Sequence, residues 1–212
     1  MKAVTMKKAM TAALAVSFLG LFATEAMAQQ QSPWQVRVRA VHIDPADKSD
    51  PIPALGVMGS DAISVSSKTM PEIDISYFFT PNIAAELVLT YPQKHDVMLN
   101  GAKIGTFKHL PPTLLAQYHF MPEAQFSPYL GAGVNYTNIS SVNMPGFALE
   151  HKSFGFALQA GLDYKIDKNW SLNLDIKKVQ IGSDVMTSAD GVKRTAVKID
   201  PVLIGIGIGY RF

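Results

Sequence analysis

The last eleven residues, Val202-Leu203-Ile204-Gly205-Ile206-Gly207-Ile208-Gly209-Tyr210-Arg211-Phe212, restrict the fold more than any other stretch. In an extended strand Val202, Ile204, Ile206, Ile208, Tyr210 and Phe212 fall on one side, and Leu203, three glycines and Arg211 on the other. A soluble strand buries its apolar face under a helix or a second sheet. Here the opposite face is too small to pack against anything of that kind. About ten residues of alternation is the span of a tilted strand across a bilayer, with large apolar side chains on lipid and small or polar ones on a lumen. The alternative is a β-rich secreted domain that ends on a buried strand.

The beginning of the chain favours export. Lys2, Lys7 and Lys8 precede an apolar run from Ala9 to Phe22, and Ala26-Met27-Ala28 supplies a small-x-small cleavage site. Residues 1–28 therefore read as a secretory signal peptide that is removed. Residues 29–212 remain, enough for one domain. They contain no apolar run long enough for a spanning helix, so membrane residence has to come from strands. A formal charge of +2 with no basic cluster gives no reason to expect a nucleic-acid partner. The absence of cysteine removes disulfides and thiolate metal sites. His42, His95, His109 and His151 lie in or near loops, too scattered to suggest a metal site, and no cofactor is expected.

Alternation predicts eight strands, at 34–43, 72–79, 83–91, 113–120, 129–137, 153–164, 170–181 and 202–212. The connections alternate in length. Those at 80–82, 121–127 and 166–169 are short, and those at 44–70, 92–112, 138–152 and 182–196 are long loops. An even strand count with this asymmetry predicts an all-β fold: an eight-stranded antiparallel transmembrane β-barrel with short periplasmic turns and long extracellular loops. Trp34, Tyr77, Phe79, Tyr118, Phe120, Tyr164, Trp170, Tyr210 and Phe212 gather at the short-turn end as an interfacial girdle. Lys178 interrupts the predicted lipid face near its outer end, where it can snorkel.

The inward positions divide by height. Arg37, Arg39, Lys177 and Arg211 face Asp74, Glu86, Asp163 and Asp175, with His119 beside them. Four charges of each sign in a confined space predict ion pairs, because an unpaired buried charge is expensive. Val41, Ile43, Val88, Leu115, Val179, Ile181 and Leu203 occupy the middle and outer half. The expectation is an apolar vestibule above a polar, self-paired floor. Side chains that merely fill a narrow barrel would give the same pattern.

Three segments resemble a known family. They are His109-Leu110-Pro111-Pro112-Thr113-Leu114-Leu115-Ala116-Gln117-Tyr118, then Pro128-Tyr129-Leu130-Gly131-Ala132-Gly133-Val134-Asn135-Tyr136, and Asp200-Pro201 leading to Gly209-Tyr210-Arg211-Phe212. Together they are similar to the OmpW family. The resemblance implies an eight-stranded barrel in the bacterial outer membrane, reached after export through the inner membrane. It also implies a narrow, largely hydrophobic lumen that binds or passes small hydrophobic molecules. Lys177 departs from such a lumen by putting a cation in it. The aromatic end, Tyr210 and Phe212, resembles the signal read by the barrel assembly machinery, so outer-membrane lipid and that machinery are expected partners.

Two rival functions can be set against this one, and of them an enzyme is not expected. A lipid-modifying enzyme would need a nucleophile, a base and an orienting acid, for which Ser76, His119 and Asp74 or Glu86 are the available groups, though no motif joins them. A structural or adhesion barrel would have a filled core and act through loops such as the Gly-, Pro-, Ser- and Asp-containing stretch from Asp44 to Thr69.

Overall fold

A computed structural model of the protein describes residues 31–51, 57–189 and 191–212. The signal segment predicted at 1–28 lies outside them. Eight strands form the wall of a cylinder: β1 (Trp34–Asp44), β4 (Lys68–Phe78), β5 (Ile83–Leu89), β8 (Thr113–His119), β9 (Phe126–Asn143), β11 (Lys152–Lys165), β12 (Trp170–Val179) and β15 (Val202–Arg211). Successive members of this set pair antiparallel. Closure comes from β15 returning to β1 over ten matched pairs, from Gln35 with Arg211 to Asp44 with Val202. A closed wall satisfies the backbone polar groups internally, which strands crossing lipid require.

The glycine face of β15 is explained by this closure. A Cβ on Gly207 would run into the Val38 carbonyl oxygen and the Arg39 backbone and side chain. The missing side chains leave room inside for the two long arginines of β1. On the outer face Ile204, Ile206 and Ile208 are exposed, as are Leu172, Leu174 and Ile176 of β12 and Phe154, Phe156 and Leu158 of β11. Lys178 is also exposed and donates to the Asp200 carbonyl at the top of the wall.

The short-turn end carries an aromatic belt. Trp34 and Tyr77 meet edge to face at 4.8 Å, Tyr118 and Phe120 at 5.1 Å, and Trp170 and Tyr210 at 4.8 Å. Phe126, which the alternation leaves in a turn, joins it by packing on Tyr164 at 5.0 Å.

The long connections differ from the expected loops. They contain β2 (Lys48–Ser49), β3 (Ile63–Val65), β6 (Gln93–Leu99), β7 (Ala102–Leu110), β10 (Phe147–Leu149), β13 (Gly182–Thr187) and β14 (Lys193–Lys198). The far end of β9 runs on beyond the wall and pairs with β7, followed by β6 and β3. A separate four-stranded sheet has the order β10-β13-β14-β2. The β6–β7 hairpin turns through Asn100 and Gly101, whose φ angles of 49° and 80° give the left-handed pair that a tight hairpin uses. That Asn-Gly signal was present in the sequence. Its flanking segments mix His, Gln and Lys with apolar residues, so they lack the clean contrast of the lipid-facing strands.

Candidate functional site

The interior of the cylinder is layered. At the short-turn end His119 lies between two rings, 5.0 Å from Phe78 and 4.9 Å from Tyr129. Arg211 was expected in the paired floor, but it is at the rim. Its guanidinium sits 4.0 Å over Phe78, and its Nε donates to the Ser32 carbonyl at 3.0 Å. The terminal position of Arg211 keeps it half-buried, with backbone rather than carboxylate as its acceptor.

Above the rings is a dense ion-pair network. Arg37 binds Glu86 at 2.8 Å and Asp163 at 2.7 Å. Arg39 reaches Asp74 at 2.9 Å, Glu72 at 3.2 Å and Glu86 at 3.4 Å. Lys177 binds Glu72 at 2.6 Å and Asp175 at 3.0 Å. Neutral groups complete it. Gln159 donates to Glu86 and Asp175, both at 2.8 Å, and the Tyr129 hydroxyl donates to Asp175 at 2.7 Å. Gln117 donates to Gln159 at 2.9 Å and meets His119 at 3.3 Å, so His119 joins the network through amides rather than by touching a carboxylate. All of these side chains are buried.

The expected balance of four charges of each sign changes accordingly. Arg211 leaves the network and Glu72 enters it. Glu72 was legible, since it precedes Asp74 by two residues and so shares its face. Tyr129 shares the inward parity of Gly131 in the same way, and its ring fills space over Gly161, where a Cβ would clash with it.

Ile43, Val88, Val179, Ile181 and Leu203 surround a neck of only about 20 Å³ above the network, together with Lys177, Glu72 and His109. Val41 and Leu115 are buried in the same apolar cluster. The larger cavity is higher, in the extension. It measures about 290 Å³ and is lined from β3, β6, β7, β10, β13 and β14 by residues such as Val65, Val97, Phe107, Leu149, Val185 and Val197. Ser183 is the polar exception among the described lining residues. The apolar vestibule expected in the outer half of the barrel thus has a cavity of this size in segments expected to be loops, and five of the seven apolar residues assigned to it line the neck beneath. Among the described residues, no three His, Cys, Asp or Glu side chains are placed to share a metal ion.

A closed antiparallel cylinder with a lipid-facing apolar exterior, an aromatic belt at its short-turn end and an ion-paired lumen is an outer-membrane β-barrel. Its short turns face the periplasm and the strand-rich extension faces outward. The chain belongs to the OmpW family, whose model matches residues 30–212. The outer-membrane protein y4mB of Sinorhizobium fredii is 44% identical over 197 residues, covering 90% of this chain and 84% of its own length. The dibenzothiophene metabolism operon protein PahQ of Pseudomonas aeruginosa is 26% identical, covering 86% of this chain and 90% of its own. The crystal structure of OprG from Pseudomonas aeruginosa superposes with a TM-score of 0.72 at 30% identity, covering 86% of this chain and 97% of that one.

Proposed function

We propose that this protein binds small hydrophobic molecules in its extracellular extension and passes them down to the neck of the barrel. The observation that carries this reading is the apolar cavity of about 290 Å³ standing over a lumen closed by buried ion pairs. A lining whose described residues are apolar but for Ser183 rewards the transfer of hydrocarbon from water. The buried, mutually paired charges below disfavour free flow of ions and water. The name of PahQ, which links that relative to the metabolism of an apolar polycycle, points the same way.

The polar groups fit a structural role better than catalysis. The His119 contact is with Gln117, while the Ser76 hydroxyl donates to Glu86 and accepts from Arg37. Ser76 is thus committed to the ion-pair network and His119 to an amide.

Val185→Arg tests the proposal, because the cavity has space for the longer side chain and the change places charge in it. Binding of a hydrophobic fluorophore to the variant in lipid nanodiscs should fall at least tenfold, with heat-modifiable mobility confirming a folded barrel. Unchanged binding in a folded Val185→Arg protein refutes the cavity as the guest site.

A further inference from the structure

Between the outer cavity and the neck, β6 and β7 turn a small polar cluster inward. Gln93 lies opposite His109 in the hairpin register, and His95 opposite Phe107. The two imidazoles stack at 4.8 Å with planes 9° apart, and the Phe107 ring lies 5.8 Å from His95. Phe107 lines the outer cavity and His109 lines the neck. The stack thus reaches from the lining of one space to that of the other.

The cluster has bare hydrogen-bonding atoms. The Nδ1 of His95 is 2.7 Å from the Ser66 carbonyl oxygen, which can only accept, so Nδ1 carries the proton. Burial holds His95 below its ordinary pKa, and the ring is neutral. Its Nε2 is then an acceptor, and it is buried with no partner. Gln93 donates its amide to the Tyr91 carbonyl at 2.8 Å, which leaves Oε1 as a second buried acceptor with no partner. Nδ1 of His109 is likewise buried and bare. Buried polar atoms are nearly always paired, and each one left bare forfeits a hydrogen bond.

We propose that Gln93 and His95, beside the stacked ring of His109, form an acceptor site that selects, among apolar guests, those carrying a hydroxyl group: alcohols and phenols. This rests on the hydrophobic-guest reading above. A hydroxyl brings the missing donor in a group about the size of water, and the neck of about 20 Å³ lined by His109, on which His95 stacks, holds one such group. An ionised carboxylate brings no donor. An ammonium would meet the positive charge of Lys68, which already acts on both histidines. An ether or plain hydrocarbon of the same shape leaves the acceptors bare.

The test compares naphthol with its methyl ether, two probes that share a ring system and differ in the donor. Binding to the full-length protein in nanodiscs is read by probe fluorescence and corrected against protein-free nanodiscs. The wild type should prefer naphthol by about tenfold, the worth of one buried hydrogen bond. His95→Phe keeps a stacking ring and removes the acceptor. It should abolish the preference, so that the variant binds naphthol and the methyl ether equally. Gln93→Leu, made in parallel, should reduce the preference and serves as the reporter where His95→Phe does not insert. Equal affinities in the wild type overturn the site and leave the hydrophobic-guest function standing. A preference that survives in the folded variants also overturns it. Binding of neither probe above background overturns both readings.

Discussion

Arg37 and Glu86 meet at 2.8 Å across the barrel lumen, and both side chains are fully excluded from solvent. Their strands, β1 and β5, are not neighbours in the wall, since β4 lies between them. The pair therefore ties the wall together through its interior and fills part of the lumen at that level. Its neighbours make it tolerable: Asp163 takes the other arm of Arg37, and Ser76 and Gln159 bind the carboxylate–guanidinium unit.

Removing one partner should expose that dependence. Glu86→Ala leaves Arg37 short of an acceptor and weakens the environment of Arg39, at a cost of about 3–5 kcal/mol for a buried pair broken on one side. The midpoint of urea unfolding from lipid vesicles should shift to lower denaturant. An unchanged midpoint would show that water reaches the guanidinium and replaces the carboxylate.

Acid should loosen the extension before the barrel. Burial and the neighbouring His95 lower the pKa of His109 from 6.5 to about 3, and burial lowers that of His95. A depressed histidine pKa means that the opened state binds more protons than the folded one. The associated stability is intact above pH 6.5 and falls as pH drops towards the folded value. Amide exchange in β6 and β7, relative to intrinsic rates, should therefore accelerate as pH falls below 6.5. Replacing both histidines by Phe should flatten the profile. A wild-type profile already flat over that window contradicts the assignment.

Binding and passage should separate at Val88. This side chain lines the neck rather than the outer cavity. Val88→Arg should leave probe binding in the extension intact and lower uptake of the same probe by cells. Val88→Ala should keep uptake or raise it. Equal uptake by wild type, Val88→Arg and cells lacking the protein would remove support for passage through the neck.

Phe212 should matter more to assembly than to stability. Its backbone already closes the barrel, with its carbonyl accepting from Ser32 at 2.6 Å and its N–H donating to Trp34 at 3.2 Å. The ring is exposed at the belt, 5.0 Å from Tyr210. Phe212→Asp should reduce the protein recovered in outer membranes while refolding from urea into lipid proceeds as for the wild type. Normal recovery in cells would refute a role for this residue as an assembly signal.

The alternation of residues such as Ile204, Ile206 and Ile208 with Gly205, Gly207 and Gly209 determined the barrel by itself. A period of two, sustained for the length of a bilayer with bulk on one face, has few other uses. The same periodicity showed that Arg37, Arg39, Asp74, Glu86 and Lys177 point inward, because parity along a strand is a local property. Which arginine meets which carboxylate was not local. It depends on register and shear around a closed wall, which brought Arg37 to Asp163 from strands far apart in the chain. Closure also left Arg211 at the rim. The outer cavity depended on tertiary structure most of all. Segments such as 93–110 become strands by continuing the pairing of β9, and their mixed polarity reflects two different surroundings, solvent outside and an enclosed cavity within. Local pattern records whether a side chain faces in or out; only the packed extension decides what the inward side encloses.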